Sequence, residues 1–264
     1  YFATAEGKPD ILRLHREQNL QRMGGNVPEW REFAAKRHRW LGCNSYIDRE
    51  IGRVIDVVEE LHNEDTMIIY TVDHGDQFGA HGLVGKGPMM YEETCCVPFI
   101  VRLPGAGGGR VCDSVISHVD ILPTLLDYVG ANSPEVLHGT SLRPILEGPS
   151  PGVREAALVN FHRFAINLAK YGEFYPVRCA VNDRYKLIIN LFETDELYDL
   201  VEDPWERTNL IDAPSAAAPR NQLHDWLLGE MDRIRDPFRS FRWGSRPWRR
   251  VREPRYWNEV RSKR

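Results

Sequence analysis

The chain has 264 residues, of which 42% are hydrophobic and 27% are charged, and its formal net charge is −4. This composition is typical of a globular protein with a substantial core and excludes a disordered chain. No apolar stretch reaches about 18 residues, so a membrane span is excluded as well. The five cysteines form no C-x-x-C pair, which argues against a zinc ribbon and a disulfide framework, and we expect buried free thiols. The first residue is a tyrosine, and we expect the chain to begin within a longer protein.

The first hundred residues alternate between helical and strand patterns. Residues 1–29 are polar and irregular, which indicates a loop. Apolar side chains recur at steps of three and four through residues 30–61, and this spacing predicts an amphipathic helix. Residues 66–72 and 97–103 are short apolar runs that predict buried strands. A helix that leads directly into a buried strand is half of a β-α-β unit, so we expect an α/β fold with a mostly parallel sheet flanked by helices. The apolar positions of the helix are Ile47, Ile51, Val54, Ile55, Val58 and Leu61.

A strand, a helix and a boundary are predicted next. Residues 111–117 read as a further strand, and residues 118–130 read as a helix with Pro123 in its first turns. Prolines cluster around residue 150. We therefore divide the chain into a first domain of residues 1–150 and a second of residues 151–264.

The second domain is predicted to be a small antiparallel subdomain. Short runs of alternating apolar and polar residues are separated by turn residues, and this pattern is typical of an antiparallel sheet. Residues 222–234 predict a helix packed on that sheet. The predicted strands are residues 156–161, 177–181, 185–190 and 196–200.

The charge is unevenly distributed, because residues 233–264 contain 12 basic and 3 acidic residues. This basic segment also holds Trp243, Trp248 and Trp257. Such a segment could bind an anionic polymer. Alternatively, it wraps over the acidic remainder of the chain and buries its indole rings. The spacing of the tryptophans favours packing, and we expect no nucleic-acid partner.

The most informative stretch is the loop that follows the first predicted strand. It gathers Asp73, His74, Asp76, His81 and Lys86 within a few residues, among several glycines. In open α/β folds the carboxyl ends of the strands form the ligand-binding edge. A carboxylate oxygen beside an imidazole nitrogen can ligate calcium, magnesium or manganese. A capping aspartate and a hydrogen-bonded histidine would explain the same pair equally well.

Lys86 and His81 are the other candidates for chemistry in this loop. Lys86 lies between Gly85 and Gly87, and its ammonium group could stabilise a tetrahedral oxyanion, although most lysines are simply solvated. His81 could be a general acid or could organise the loop through hydrogen bonds, and the structural role is slightly favoured. His118 begins the next predicted helix and is interpreted as a structural residue.

Several short blocks follow one another in a fixed order through residues 45–212. They are Thr71-Val-Asp-His-Gly75, Gly79-Ala-His-Gly-Leu83, Lys86-Gly-Pro-Met-Met-Tyr-Glu-Glu93, Val97-Pro-Phe-Ile-Val101, Ser117-His-Val-Asp-Ile-Leu-Pro-Thr-Leu-Leu126, His138-Gly-Thr-Ser-Leu142 and Glu196-Leu-Tyr-Asp-Leu200. Together these blocks resemble the type I sulfatases of the alkaline phosphatase superfamily. Their occurrence in order is far more specific than any single block.

The resemblance implies an alkaline-phosphatase-like fold and metal-dependent hydrolysis of a sulfate ester. It assigns Asp73 and His74 to a divalent metal, calcium with manganese or magnesium as alternatives. It assigns Lys86 to the sulfate group. His81 is a second catalytic candidate through its place in the loop, and the resemblance assigns it no role. The implied substrate is a sulfated small molecule or glycan. In that family a formylglycine, made from the first residue of a Cys/Ser-x-Pro/Ala-x-Arg motif, is the nucleophile.

The sequence matches this pattern only at Ser245-Arg-Pro-Trp-Arg249, in the basic segment after all the other blocks, and the early paired aspartates of the family are not present. We therefore interpret the chain as the C-terminal portion of a sulfatase that lacks the nucleophile-bearing half and is inactive alone. His74 occupies a position where the resemblance also permits asparagine, and histidine there also occurs in phosphate and phosphonate ester hydrolases of the superfamily. Those substrates are the first alternative. An inactive relative that binds a sulfated glycan is the second.

Overall fold

The structure, a computed structural model, describes residues 6–22, 30–62, 65–105, 108–168 and 172–249. The chain forms two compact units. Among the described residues, the first unit comprises Leu12–Val111 and the second comprises residues 6–11 and 112–249. The units divide after residue 111, whereas the domain boundary predicted from the prolines lies at residue 150. Within the described ranges, every helix is too short or too polar to cross a bilayer.

Two helices precede the first strand. Helix α1 spans Asp10–Arg22, in a region predicted to be a loop. That prediction was wrong because the few apolar residues of α1 do not recur at helical spacing along its length. Its start directly after Pro9 is the one local signal that a helix begins there. Helix α2 spans Trp30–His62, as predicted. Three of the six apolar positions on its predicted face are nevertheless exposed.

Strands β1 (Ile68–Thr71) and β2 (Phe99–Arg102) form a two-stranded antiparallel sheet. The sequence analysis predicted a mostly parallel sheet for the fold but assigned no pairing to these two strands. A parallel pair needs a long crossover between its strands, usually a helix. The long helix α2 precedes β1, and the connection from β1 to β2 contains only a 3₁₀ turn at Ala80–Gly82 and the four-residue helix α3 (Glu92–Cys95). The chain accordingly returns in the opposite direction.

The second unit begins with an extended segment and two helices. Residues 111–117 form no strand ladder with any described strand, so the strand predicted there was wrong. The next helix was predicted correctly: a 3₁₀ turn at His118–Asp120 leads into α4 (Ile121–Val129), which ends at Gly130 with φ 66°. His118 starts this turn, as expected. Helix α5 spans Arg143–Glu147.

The predicted antiparallel subdomain is confirmed. Its four strands pair antiparallel in the order β3-β4-β5-β6. The Asn182 side chain accepts hydrogen bonds from the backbone N–H groups of Arg184 at 3.0 Å and Tyr185 at 2.7 Å, and this closes the turn between β4 and β5. The strands are β3 (Ala157–Leu168), β4 (Gly172–Val181), β5 (Tyr185–Asn190) and β6 (Glu196–Asp199).

Helix α6 supplies the other half of the core of the second unit. It spans Ala217–Arg233 after a 3₁₀ turn at Pro214–Ala216, and the short helix α7 (Phe241–Gly244) follows. Burial of apolar side chains between the sheet and these helices is the main stabilising contribution. The buried core includes Leu187, Ile189, Leu197, Leu223, Leu227, Met231 and Trp243.

The described part of the basic segment packs onto this core. Trp243 is fully buried, and the indole N–H of Trp248 donates to the buried carboxylate of Asp195 at 2.7 Å. Arg246 donates to the same carboxylate from Nε at 2.7 Å and from Nη2 at 2.8 Å. The packing interpretation is confirmed for these two tryptophans, whereas Trp257 lies outside the described residues.

The cysteines are free thiols, but the expectation that they are buried was wrong for most of them. Cys179 is buried on β4 and Cys95 is half-buried, whereas Cys43, Cys96 and Cys112 are exposed. The exposed cysteines lie on α2 and in irregular segments beside the strands, where no described core covers them.

Candidate functional site

The candidate site lies in the loop between β1 and α3, within the first unit. Backbone hydrogen bonds close this loop on itself, since the N–H of Gln77 donates to the carbonyl of Gly85 at 2.8 Å. The carboxylate of Asp76 accepts the N–H groups of Phe78 at 2.8 Å and Gly85 at 3.2 Å. Asp76 therefore organises the loop, a role that its position in the sequence did not reveal.

A close approach of two backbone segments fixes the start of the loop. The N–H of Gly75 donates to the carbonyl of Thr94 at 3.1 Å, and a Cβ at Gly75 would lie 1.9 Å from the carbonyl oxygen of Glu93. The Gln77 side chain donates to the Thr94 hydroxyl at 3.1 Å, and both groups are buried. Only glycine fits at position 75, so the residues just before it are held in one place.

Asp73 and His74 place a carboxylate oxygen and an imidazole nitrogen side by side. Oδ2 of Asp73 lies 3.3 Å from Nε2 of His74, while Oδ1 accepts the backbone N–H of His74 at 3.0 Å. The other ring nitrogen, Nδ1, lies 2.9 Å from the carbonyl oxygen of Gly75. A carbonyl oxygen only accepts, so Nδ1 donates to it, and the ammonium of Lys86 only donates, so Nε2 is the acceptor in its contact with Lys86. A metal-binding Nε2 requires this tautomer.

Lys86 joins the pair from the far end of the loop. Its Nζ contacts Nε2 of His74, and it follows Gly85, whose φ of 75° falls in the region that glycine tolerates best. The Asp73 side chain is 84% exposed and that of His74 is 37% exposed. The structure thus brings three of the four predicted site residues together at an accessible point.

The fourth predicted residue, His81, is buried. It exposes 4% of its surface, and its ring stacks on Tyr91 with centroids 3.8 Å apart. Its Nε2 lies 3.6 Å from the carboxylate of Glu93. The backbone of His81 has φ 54°, which is uncommon for a residue other than glycine. These contacts fit a histidine that organises the loop.

Helix α1 supports the loop at two places, which the sequence reasoning missed. Nε of Arg16 donates to the carbonyl of His81 at 2.5 Å, and burial lowers the pKa of this arginine. His15 is buried, and a Cβ at Gly87 would lie 2.5 Å from its ring. Gly87 is adjacent to Lys86, so α1 braces both arms of the loop. The sequence analysis interpreted the residues of α1 as a loop and therefore missed this support. Within the candidate loop itself, the glycine at position 87 was the one local sign of a close approach.

Two protein families match this chain. Residues 79–233 match the family described as N-sulphoglucosamine sulphohydrolase, C-terminal. Residues 7–131 match the family described as Sulfatase. The two matches overlap across the second half of the candidate loop, and the Sulfatase match contains all four predicted site residues.

Individual relatives agree with the family matches. An uncharacterised sulfatase, YidJ of Escherichia coli, is 42% identical over 222 residues, which cover 84% of this chain and 43% of the relative. An N-acetylglucosamine-6-O-sulfatase of Bacteroides thetaiotaomicron is 32% identical over 197 residues, 72% of this chain and 34% of the relative. The solved phosphonate monoester hydrolase of Agrobacterium radiobacter has a TM-score of 0.68 at 29% identity, with 76% of this chain and 42% of that chain covered. The chain therefore spans less than half the length of these proteins.

Proposed function

The chain belongs to the type I sulfatases of the alkaline phosphatase superfamily, and on that premise we propose that it is the C-terminal, metal-holding portion of an enzyme that hydrolyses a sulfate ester. One observation carries the proposal. The carboxylate of Asp73, Nε2 of His74 and the ammonium of Lys86 converge at an exposed point of the first unit. A cation and an anionic substrate group could bind there side by side.

The spacing of the two donor atoms fits a calcium ion. Two donors bound to one Ca²⁺ at about 2.3–2.4 Å and at right angles lie about 3.3 Å apart. Oδ2 of Asp73 and Nε2 of His74 are separated by 3.3 Å, and the proton of the imidazole is already held on its other nitrogen. Manganese and magnesium are the alternatives, because the carboxylate of Asp73 suits them as well. Calcium takes about six to eight ligands, so the remaining donors would come from outside this pair.

Each side chain has a separate task in the proposed reaction. When bound, the divalent cation would polarise the nucleophile and the sulfate oxygens. Asp73 and His74 would hold it, with the Gly75 carbonyl fixing the orientation of the imidazole. Lys86 would donate hydrogen bonds to the sulfate oxygens and stabilise the charge that builds on them. We assign His81 to positioning the loop through Tyr91.

The proposed substrate is a sulfated sugar, in line with the relative named an N-acetylglucosamine-6-O-sulfatase. The chain covers 43% of the Escherichia coli relative. Its one match to the Cys/Ser-x-Pro/Ala-x-Arg pattern, Ser245–Arg249, lies in the second unit, where Arg246 and Trp248 donate to the buried carboxylate of Asp195. We therefore place the formylglycine nucleophile outside these residues and expect no turnover from the chain alone. Without a nucleophile, the remaining groups cannot supply the required reduction of the barrier.

A phosphate or phosphonate ester is the second candidate substrate. The likeness to the phosphonate monoester hydrolase, with a TM-score of 0.68, favours it, as does the histidine at position 74. The inactive glycan-binding alternative has weaker support. Arg233, Arg239, Arg246 and Arg249 of the basic segment already pair with carboxylates of the same unit.

A calcium titration of the chain tests the metal assignment without any turnover. With two protein donors we expect a dissociation constant of about 1 mM or weaker, and Asp73→Asn should weaken binding at least about tenfold. Asp65→Asn is the matched control, because it removes an exposed carboxylate outside the loop. Equal calcium binding by the wild type and Asp73→Asn would rule out the assignment.

The complete enzyme separates the two substrate classes. Turnover of an aryl sulfate and of an aryl phosphonate should be compared under the same conditions, with and without a chelator. A strong preference for the sulfate supports the first candidate, and a strong preference for the phosphonate overturns it in favour of the second.

A further inference from the structure

Lys86 lies between two glycines that are needed for different reasons. Gly85 has φ 75°, a conformation that glycine tolerates best. The φ of Gly87 is not in that region, but a Cβ there would lie 2.5 Å from Cε1 and 2.9 Å from Nδ1 of His15. The first glycine therefore serves the backbone conformation of the loop, whereas the second lets the loop lie directly against the ring of His15.

The arm of the loop that carries Lys86 has little backbone support of its own. On its N-terminal side, the N–H of Gly85 donates to the carboxylate of Asp76 at 3.2 Å. Among the described residues, no backbone carbonyl accepts the N–H of Lys86 or that of Gly87. The position of this arm therefore depends on the side chain that packs against it, which is the buried imidazole of His15.

Arg16 holds the other arm of the loop at His81. Its Nε donates to the His81 carbonyl at 2.5 Å, and a hydrogen bond from a charged donor is stronger than one between neutral groups. The guanidinium is half-buried, which strengthens the bond further because less water competes for it. His81 has φ 54°, and such a conformation persists only where the surroundings hold it. Loss of the bond would allow His81 to relax and the loop to move with it.

Both contacts come from one face of α1 within the first unit. Leu12, His15 and Arg16 are three and four positions apart, so they share one side of the helix. Leu12 is fully buried and His15 exposes 4% of its surface, whereas Arg13 and Glu17 on the other side are exposed and pair with each other. Apolar side chains would satisfy packing alone, and burial of an imidazole and a guanidinium costs free energy. The polar groups on this face therefore indicate a role beyond packing.

We infer that His15 and Arg16 are positioning residues for Lys86, because by fixing the two arms of the loop they keep the ammonium of Lys86 against Nε2 of His74. The inference deepens the proposed function and rests on it, since Lys86 is there the group that meets the sulfate oxygens. A lysine on an unsupported arm would have to be ordered when the substrate binds. A lysine that α1 already holds stabilises the transition state without that loss.

The ring nitrogens of His74 report on the position of Lys86. In the chain labelled with ¹⁵N-histidine, the NMR signal of Nε2 is sensitive to a hydrogen bond donated to that nitrogen, and its absence from His74→Gln identifies it. At one fixed pH and without metal, Lys86→Met removes the donor and defines the full change in chemical shift. Arg16→Met should cause more than half of that change, and Arg16→Lys, which keeps a charged donor, should stay closer to the wild type. Arg16→Met added to Lys86→Met should change the signal no further.

Two matched controls test whether the effect is specific. Arg13→Met removes an arginine from the exposed side of the same helix and should leave the His74 signal unchanged. Gly87→Ala disturbs the second contact of α1 and should also move the signal by more than half of the full change, whereas Gly52→Ala, whose Cβ meets open space on α2, should not. Thermal melts establish which variants are folded, and Gly87→Ala decides the outcome if Arg16→Met does not fold.

Three results would overturn the inference. The first is a signal that moves in Lys86→Met but keeps its wild-type position in a folded Arg16→Met or Gly87→Ala. The second is a signal that Lys86→Met leaves unchanged, because the contact that α1 is inferred to maintain would then be absent. The third is an equal shift in the control variants. The measurement involves neither calcium nor a substrate, so its failure is distinguishable from a failure of the calcium titration, which tests the proposed function.

Discussion

Acid should destabilise the second unit through His224. This histidine lies on α6 and is fully buried. Its Nε2 lies 2.6 Å from the carbonyl oxygen of Trp243, and its Nδ1 lies 2.6 Å from a guanidinium nitrogen of Arg249. The carbonyl only accepts and the guanidinium only donates, so the ring is neutral with its proton on Nε2. Burial is the main cause that lowers the pKa of His224 from 6.5 to about 4, against a smaller opposing contribution from the hydrogen bond to Trp243.

The magnitude follows from the difference between the folded and unfolded pKa. As the pH falls below 6.5, His224 binds a proton in the unfolded chain but not in the folded one. The free energy of unfolding therefore decreases. Above that pH both states are neutral and this residue adds no pH dependence. The loss amounts to about 2 kcal/mol at pH 5 and about 3 kcal/mol near pH 4, where the folded state begins to take up the proton as well.

His224→Gln isolates this effect. The glutamine amide can donate to Trp243 and accept from Arg249, but it does not titrate. Urea unfolding followed by tryptophan fluorescence at pH 7.5 and pH 5 gives the free energy of unfolding of both proteins. The difference between wild type and variant should change by about 2 kcal/mol in favour of the variant at pH 5. Carboxylates such as Glu230 titrate in both proteins, so their contributions cancel in the difference between wild type and variant. Parallel pH profiles for the two proteins would refute the reasoning.

Three further predictions concern the loop, the core and the metal. Gly75→Ala should lower the free energy of unfolding by about 2 kcal/mol or more, because its Cβ would lie 1.9 Å from a backbone oxygen. Gly52→Ala in α2, where the added Cβ meets open space, should raise the free energy of unfolding by about 1 kcal/mol. Melting temperatures of the two variants that change in the same direction would contradict these two predictions. Arg178→Met should cost about 3–5 kcal/mol because it leaves the buried carboxylate of Asp236 without its partner at 2.6 Å, and Arg178→Met with Asp236→Leu should recover most of that loss in urea unfolding. Lys86→Met should tighten calcium binding about fivefold, because the ammonium repels the cation and contacts the same imidazole nitrogen, and weaker binding in the titration would count against the site.

Local patterns predicted the second unit well. The alternation in residues 185–190 is visible in the sequence because one face of β5 packs against α6 within the same unit. The turn before it could be predicted because the Asn182 side chain bonds to backbone N–H groups only two and three residues away. Both signals lie within a few residues, and nothing distant has to be known to interpret them.

Pairing and burial in the first unit could not be predicted in this way. A short apolar run such as β2 carries no information about the direction of its partner, so the antiparallel pairing of β1 with β2 could not be predicted. The face of α2 was identified correctly from its spacing, but its exposure depends on which residues are available to cover it. The support that α1 gives to the loop depends on His15 and Arg16, whose sequence neighbourhood has no helical periodicity.

The candidate site shows the same division between local and distant information. Because Asp73 and His74 are adjacent in the sequence, their two donor groups must lie near each other. The glycines around Lys86 allow its side chain to reach the imidazole of His74. The usable tautomer depends on the carbonyl of Gly75, and that carbonyl is held in place by a contact with the backbone 18 residues away at Glu93. Two donors are too few to hold a calcium ion firmly, so the remaining ligands would come from outside this pair, and the adjacency of Asp73 and His74 does not identify them.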